Sequence, residues 1–174
     1  MSKDVLSAIK ERRSIRRFKP DPVPEDILNT LLEAACAAPS AGNVQPWLFY
    51  RVHRAEIKEA LAQAALGQKF VAQAPVVIVV CADLDRAAAA YGERGRTLYC
   101  LQDTAAAITN LMLAATNFGL GTCWVGAFDE AAASRILQLP PHVRPVAMIP
   151  LGYPAHSPSP TSRRRLNEVV KVLN

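Results

Sequence analysis

The stretch GLGTCWVGAF, residues 119–128, admits two interpretations, and the choice between them decides the fold class. A close pair of glycines can form a dinucleotide-binding loop, or it can end a helix and start a strand. The dinucleotide fingerprint needs a strand before the glycines and a helix after them. Here the order is reversed. Residues 98–118 form the longest apolar run, with Gln102, Asp103, Asn110 and Asn117 spaced through it. That pattern predicts a buried helix of a globular protein and is too polar for a membrane span. Gly119 falls where a left-handed C-terminal cap belongs. TCWVGAF after it reads as a strand, and Gly126 within that strand suggests a bulge or close backbone approach to something flat. The chain is therefore α+β, and not a doubly wound nucleotide fold.

The other elements follow in the same way. Val5, Leu6 and Ile9 fit one face of a short first helix that runs into a group of arginines. Pro24 opens a second helix in its first turn, with Glu25 and Asp26 near the positive end. Ile27, Leu28, Leu31, Leu32, Ala35 and Cys36 form its buried stripe, and Pro39 stops it. WLFYRV, residues 47–52, predicts a strand, followed by a helix that buries Ile57 and Leu61. PVVIVVCA, residues 75–82, predicts a strand buried on both faces. The polar stretch from Asp83 to Thr97 reads as a mobile loop or a short helix. A further helix starts near Asp129, a natural N-cap. VAMIPLGYP is the last clear strand, and the tail RRRLNEVVKVLN offers an edge strand, on this chain or on another. No repeat or linker divides residues 1–174, so one domain is expected.

Half of the chain is apolar, 51%, and the net charge of +5 is gathered at two places. Arg12, Arg13, Arg16, Arg17 and Lys19 form one cluster, and Arg163, Arg164, Arg165 and Lys171 form the other. A nucleic-acid protein more often spreads a basic stripe across a face, with interleaved aromatics. Two compact spots suit a compact anion. Cys36, Cys81, Cys100 and Cys123 lack CxxC spacing and lie in apolar surroundings, so they read as free, buried thiols in a reducing compartment. The N-terminal residues have no signal-peptide pattern, and the expected location is the cytoplasm.

Three stretches carry candidate chemistry. In ERRSIRRF, residues 11–18, the planar guanidinium fork matches phosphate oxygens in pairs, and Ser14 adds a donor. Arg12, Ser14 and Arg16 can share one side while Ile15 and Phe18 anchor the turn. The other reading is a solvated basic helix end. In PSAGNVQPW, residues 39–47, small residues permit close backbone approach, while Asn43 and Gln45 suit the polar edge of a planar heterocycle. The alternative is an ordinary helix-to-strand turn. In residues 119–128, Trp124 reads as core. Asp103 is the oddest acid, since it lies in an apolar helix. It could cap a loop, meet an arginine or face a second chain. His53, His142 and His156 are scattered without metal spacing, and no nucleophile motif occurs. Ligand-shaped loops without a catalytic constellation imply that a cofactor carries the reaction.

In order along nearly the whole chain, RRSIRRF, APSAGNVQPWLF, the alanine-rich helix into GLGTCWVGAF, and IPLGYP resemble the nitroreductase family of FMN-dependent oxidoreductases. This is a short member, without room for the extra helices of longer ones. The resemblance implies an α+β, nitroreductase-like fold with a central, mostly antiparallel sheet flanked by helices. It also implies an intertwined homodimer with FMN at the subunit interface. Arg12, Arg13, Ser14 and Arg16 would hold the phosphate and ribityl end. Pro39, Ser40, Ala41 and Asn43, with Gln45, would come from the other subunit to border the ring. Val125 and Gly126 would offer backbone N–H groups near flavin N5, with Thr122, Cys123 and Trp124 along the same wall. Gln68 and Lys69 would meet the pyrimidine edge, and Arg163, Arg164 or Arg165 would close on the phosphate.

The implied activity is hydride transfer from NAD(P)H to flavin N5 and on to a nitroaromatic, quinone or similar acceptor, in ping-pong order, with no catalytic side chain and no metal. The same scaffold also fits a specialised reaction: reductive dehalogenation, heterocycle dehydrogenation or oxygen-dependent flavin chemistry. A non-enzymatic basic binding module is the remaining alternative. No nucleic-acid or membrane partner is expected, and GERGRTLY, residues 92–99, polar and glycine-bearing, is the expected site of substrate discrimination.

Overall fold

The strand Val76–Asp83 organises the molecule, because its seven residues from Val76 to Ala82 are all buried. The computed structural model describes residues 4–173, so the ends of the N-terminal reading and of the tail lie outside the described residues. The elements are α1 (Val5–Glu11), α2 (Glu25–Cys36), β1 (Trp47–Val52), α3 (Ala55–Ala64), α4 (Phe70–Gln73), β2 (Val76–Asp83), α5 (Leu84–Arg94), α6 (Cys100–Asn117), β3 (Gly121–Thr122), α7 (Glu130–Leu137), β4 (Val143–Gly152) and α8 (Leu166–Val169). The sheet order is β1-β2-β4-β3, with every neighbouring pair antiparallel.

Strand alternation sends successive side chains of β2 into two different cores. Val76, Ile78 and Val80 pack with Leu28, Leu31, Ile108 and Leu111 of α2 and α6. Val77, Val79 and Cys81 pack with Leu61, Val71 and Ala133 on the opposite face. A helix layer on each side explains why β2 is an unbroken apolar run, as in strands that never face water. Lys58 on α3 is buried and donates to the carbonyls of Ala74 at 2.6 Å and Pro75 at 3.3 Å, tying α3 to the entrance of β2. Burial pushes its pKa down.

The end of α6 follows the expected cap. Gly119 has φ +71°, its N–H donates to Thr116 O, and the N–H of Leu120 reaches back to Ala115 O at 2.9 Å. This is a Schellman closure, and it turns the chain directly into β3. Asp129 caps α7 by accepting from Ala132 N at 2.9 Å.

Several expectations are corrected. TCWVGAF is not a full strand. Only Gly121 and Thr122 are ladder-paired; Cys123 N still donates to Pro150 O at 3.3 Å, and Val125 then makes a single bridge to Met148. Of the two readings of residues 83–97, the helical one holds: α5 runs from Leu84, breaks at Tyr91 and Gly92, and leads through a π turn into α6. Pro24 is the N-cap of α2, one position before the first turn. Cys36 is exposed at the end of α2, because the buried stripe of Leu28, Leu31 and Ala35 faces the other way. Val5, Leu6 and Ile9 do share a helix, but all three are exposed in this chain. The tail forms the helical turn α8 among exposed residues, with no strand among them.

Gly121 sits against Ile15 with no room for a side chain. An added Cβ would stand 2.6–2.9 Å from the branched carbons of Ile15. Gly121→Ala should therefore lower stability by about 1–3 kcal/mol through overpacking. Urea denaturation measures this, and an unchanged midpoint would mean that the Ile15 segment moves aside freely.

Candidate functional site

The arginine-rich segment leaves α1 in extended form and docks on β3. Ile15 N donates to Thr122 O at 2.9 Å, and Ser14 bridges Thr122 in parallel register. Extended backbone alternates its side chains. Ile15 is buried, while Arg12 and Ser14, with Thr109 and Met112 of α6 and Trp124, line a cavity of about 300 Å³. Arg16 lies with its guanidinium 5.9 Å from the Phe70 ring centroid. Neither Arg12 nor Arg16 pairs with a carboxylate among the described residues. Arg13 points elsewhere. Its terminal nitrogen donates to the carbonyls of Lys10 and Arg12, closing the end of α1.

Below this edge runs the wall 122–126. Thr122, Cys123 and Val125 are buried, whereas Trp124 is 41% exposed and so is not a core residue. Burial pushes the Cys123 thiol pKa up, while Arg16, a hydrogen bond with Ser14, and Arg12 pull it down. The thiol is thus in electrostatic range of both arginines. Val125 commits its N–H to Met148 O at 2.9 Å and accepts from Met148 N at 3.0 Å. Its amide is not available to a ligand, which corrects that part of the sequence reading. Gly126 is exposed, and no described residue accepts from its N–H. Gln68 stands beside it, donating to Ala65 O at 2.9 Å and Ala127 O at 3.2 Å. Lys69 follows as the N-cap of α4. One chain therefore brings together Arg12, Ser14, Arg16, the wall 122–126 and Gln68.

The segment 39–45 is a separate construction. Gly42, Asn43 and Gln45 all have positive φ, between 54° and 56°. Asn tolerates this region, but Gln pays a cost there. The surroundings hold the loop in place. Ser40 Oγ accepts from Gln45 N at 3.0 Å, and Gln45 Nε2 returns to Asn43 O and Oδ1. Ala41 N donates to Asp103 Oδ1 at 3.0 Å, and Arg86 Nε donates to Val44 O at 2.6 Å. Pro39 is exposed at the start of the loop. Of the three roles open to Asp103, loop capping is the one found.

The two constructions do not meet within one chain. Asp103 and Met112 lie nine residues apart on α6, about 13–14 Å along the axis and half a turn around it. The tail arginines are also apart. Arg163 bonds Thr161 and Ser162, Arg164 pairs with Glu168, and Arg165 precedes α8, all exposed. Sequence reasoning missed Phe70, Thr109, Met112 and Arg86. The Asp83 cap could have put Arg86 in the first turn of a helix, but its bond to Val44 is a long-range contact that no local signal gives. No group of described His, Cys, Asp and Glu side chains is arranged to hold a metal ion, and no described helix is long and apolar enough to cross a membrane.

The family model for the nitroreductase family matches residues 9–69 and 64–153. A Thermus thermophilus protein named NADH dehydrogenase is 37% identical over 96% of this chain and 95% of its own. The Vibrio harveyi NADPH:FMN oxidoreductase, solved in complex with NAD+, superposes with a TM-score of 0.91 at 28% identity, covering 99% of this chain and 78% of that one. A nitroreductase family protein from Streptococcus pneumoniae gives a TM-score of 0.89 at 27% identity, covering 98% and 100%. The chain belongs to the nitroreductase family and has its fold.

Asp103 is only 7% exposed, and burial raises its pKa above the usual 3.8 while the Ala41 amide lowers it. A raised acid pKa favours the folded state fully below about 3.8, and that contribution is lost as pH climbs through the folded value. Asp103→Asn keeps an oxygen for Ala41 and cannot titrate. Its stability relative to the parent should rise as pH climbs above about 3.8 and level off once the parent's carboxyl is fully ionised, read from urea midpoints. A difference independent of pH would contradict the burial of a charge there.

Proposed function

We propose that this chain is an FMN-dependent oxidoreductase that takes hydride from NAD(P)H and reduces a nitroaromatic, quinone or similar acceptor, alternating donor and acceptor at one site. The observation that carries the reading is the pair Arg12 and Arg16, without carboxylate partners among the described residues, flanking Ser14 beside a cavity and an exposed glycine amide. Clustered guanidiniums repel one another unless an anion joins them, and a near-dianionic phosphate meets that need. The residues therefore fit FMN.

In this reading Arg12, Ser14 and Arg16 hold the phosphate and ribityl end. Arg13, turned to the end of α1, holds the segment in place. The Gly126 amide donates toward the ring at N5, and the bridge of Val125 to Met148 fixes where that amide points. Thr122, Cys123 and Trp124 form the wall, and Gln68 with Lys69 serves the pyrimidine edge. Bound FMN supplies hydride uptake and release, so the chain needs no acid–base side chain of its own for that step. Its task is to orient donor and acceptor over one face and to exclude water.

The loop 39–45 completes the site from a second copy of the chain. The support is physical: the loop is anchored at Asp103, about 13–14 Å along α6 from Met112 in the arginine cavity, and this copy leaves an apolar face exposed on α1 at Val5, Leu6 and Ile9. Leu166, Val169, Val170, Val172 and Leu173 of the tail are exposed as well. An intertwined homodimer covers these surfaces and brings Arg163 to Arg165 toward the partner's phosphate site. Four free cysteines suit a reducing cytoplasm. Residues 1–174 then act as one domain.

The purified protein, reconstituted with FMN, should show flavin absorption bands that bleach without oxygen on adding NADPH or NADH. The double variant Arg12→Ala, Arg16→Ala should bind FMN at least about 100-fold more weakly, since each charge-assisted bond contributes about 1.5–3 kcal/mol. Bands that persist with both nicotinamides would favour a specialised reaction on the scaffold. A protein that takes up no FMN would overturn the reading and favour the basic binding module.

A further inference from the structure

The helical hairpin at residues 84–99 is built with more constraint than a solvated surface needs. α5 breaks at Tyr91 and Gly92, where Gly92 takes φ 55° and ψ −142°, a conformation costly for any side-chain-bearing residue. Gly95 packs so closely on the Ala87 carbonyl that a Cβ would overlap it. From Gly95 to Tyr99 the backbone makes a π turn, an irregularity that recurs at functional sites.

These departures gather three side chains. Tyr91 and Tyr99 meet edge to face, with centroids 5.3 Å apart and planes at 83°. The Arg94 guanidinium lies 5.2 Å from the Tyr99 centroid, and its Nε donates to the Tyr99 hydroxyl at 2.9 Å. The Tyr91 hydroxyl rests against Gly42, where a Cβ would overlap it, so the cluster adjoins the loop 39–45. Arg96, two residues on, is spent on Asp85. Arg94 is not spent. No described carboxylate pairs with it, and its two terminal nitrogens meet no acceptor among the described residues.

We infer that Tyr91, Arg94 and Tyr99 select the acceptor, favouring flat aromatic compounds that carry a carboxylate or similar anionic substituent. The inference rests on the oxidoreductase reading above and names a substrate class for that site. The two rings offer aromatic faces and edges to a flat acceptor. The Arg94 fork presents paired donors to a carboxylate, held in place by its stacking on Tyr99. A simply solvated arginine on a regular helix would need neither the broken α5 nor the π turn.

Isothermal calorimetry on the FMN-loaded protein should show 4-nitrobenzoate binding about tenfold or more tightly than the neutral 4-nitrobenzamide. Arg94→Gln should abolish that preference by weakening the carboxylate alone, and Arg94→Lys should restore part of it. In turnover, Arg94→Gln should raise the KM for nitrobenzoate and leave kcat unchanged. Equal binding of nitrobenzoate by the parent and the Gln variant would overturn the proposal, as would equal loss of both compounds. A raised KM for NADPH with nitrobenzoate unaffected would assign Arg94 to the donor's phosphates and also overturn it. The bleaching experiment reports separately on the oxidoreductase reading, while calorimetry reads the anion preference with or without turnover.

Discussion

The hydrogen bond from Ile15 N to Thr122 O joins the basic segment to the edge of the sheet, and the rest of the site depends on it. It fixes the register that buries Ile15 and turns Arg12 and Ser14 outward together. It also sets those donors beside the wall that runs from Thr122 to Gly126. The register is protected by packing, because Gly121 leaves no space for a side chain against Ile15. β3 is only two residues long, so this pairing is a large share of what orders that edge. The Schellman closure at Gly119 delivers the strand at the right point. Helix end, strand and basic segment therefore act as one unit.

A second constraint is backbone strain. Three residues in the left-handed region within residues 42–45 cannot hold their shape alone. α5 and α6 hold it for them, through Arg86 at Val44, Asp103 at Ala41 and Tyr91 at Gly42. The buried carboxylate is the expensive part, since it sits without a cation and with one amide donor given to it by the loop. Spending stability on a surface loop makes sense where that loop must present fixed groups to a ligand. The same two helices thus shape the loop and, by the inference drawn from Arg94, the acceptor.

Much of this was legible in the sequence because it rests on local chemistry. The apolar run of β2, the caps at Asp129 and Gly119, and the alternation of Arg12, Ser14 and Arg16 are each set by neighbouring residues. The order of motifs pointed to the family. What was not legible depends on long-range geometry. TCWVGAF has strand-like composition, yet the chain peels away after Thr122 because only single contacts with β4 follow. Trp124 looked like core, and its exposure comes from which side of that irregular stretch faces solvent. The polar residues 83–97 left a loop and a short helix both open, and the helix forms because Asp83 is an N-cap accepting from Arg86 N; the break at Tyr91 and Gly92 was not legible. The separation of the arginine edge from the loop 39–45 appears only once α6 is placed between them.

In the proposed function, the arginine edge serves the phosphate of FMN. The most direct test compares FMN with riboflavin, which has the same ring and no phosphate. Fluorescence titration of the flavin-free protein should give at least about 100-fold tighter binding for FMN, with the gap narrowing as salt is raised. Equal affinity for the two flavins would contradict the account, because the arginines would then make no contribution that depends on the phosphate.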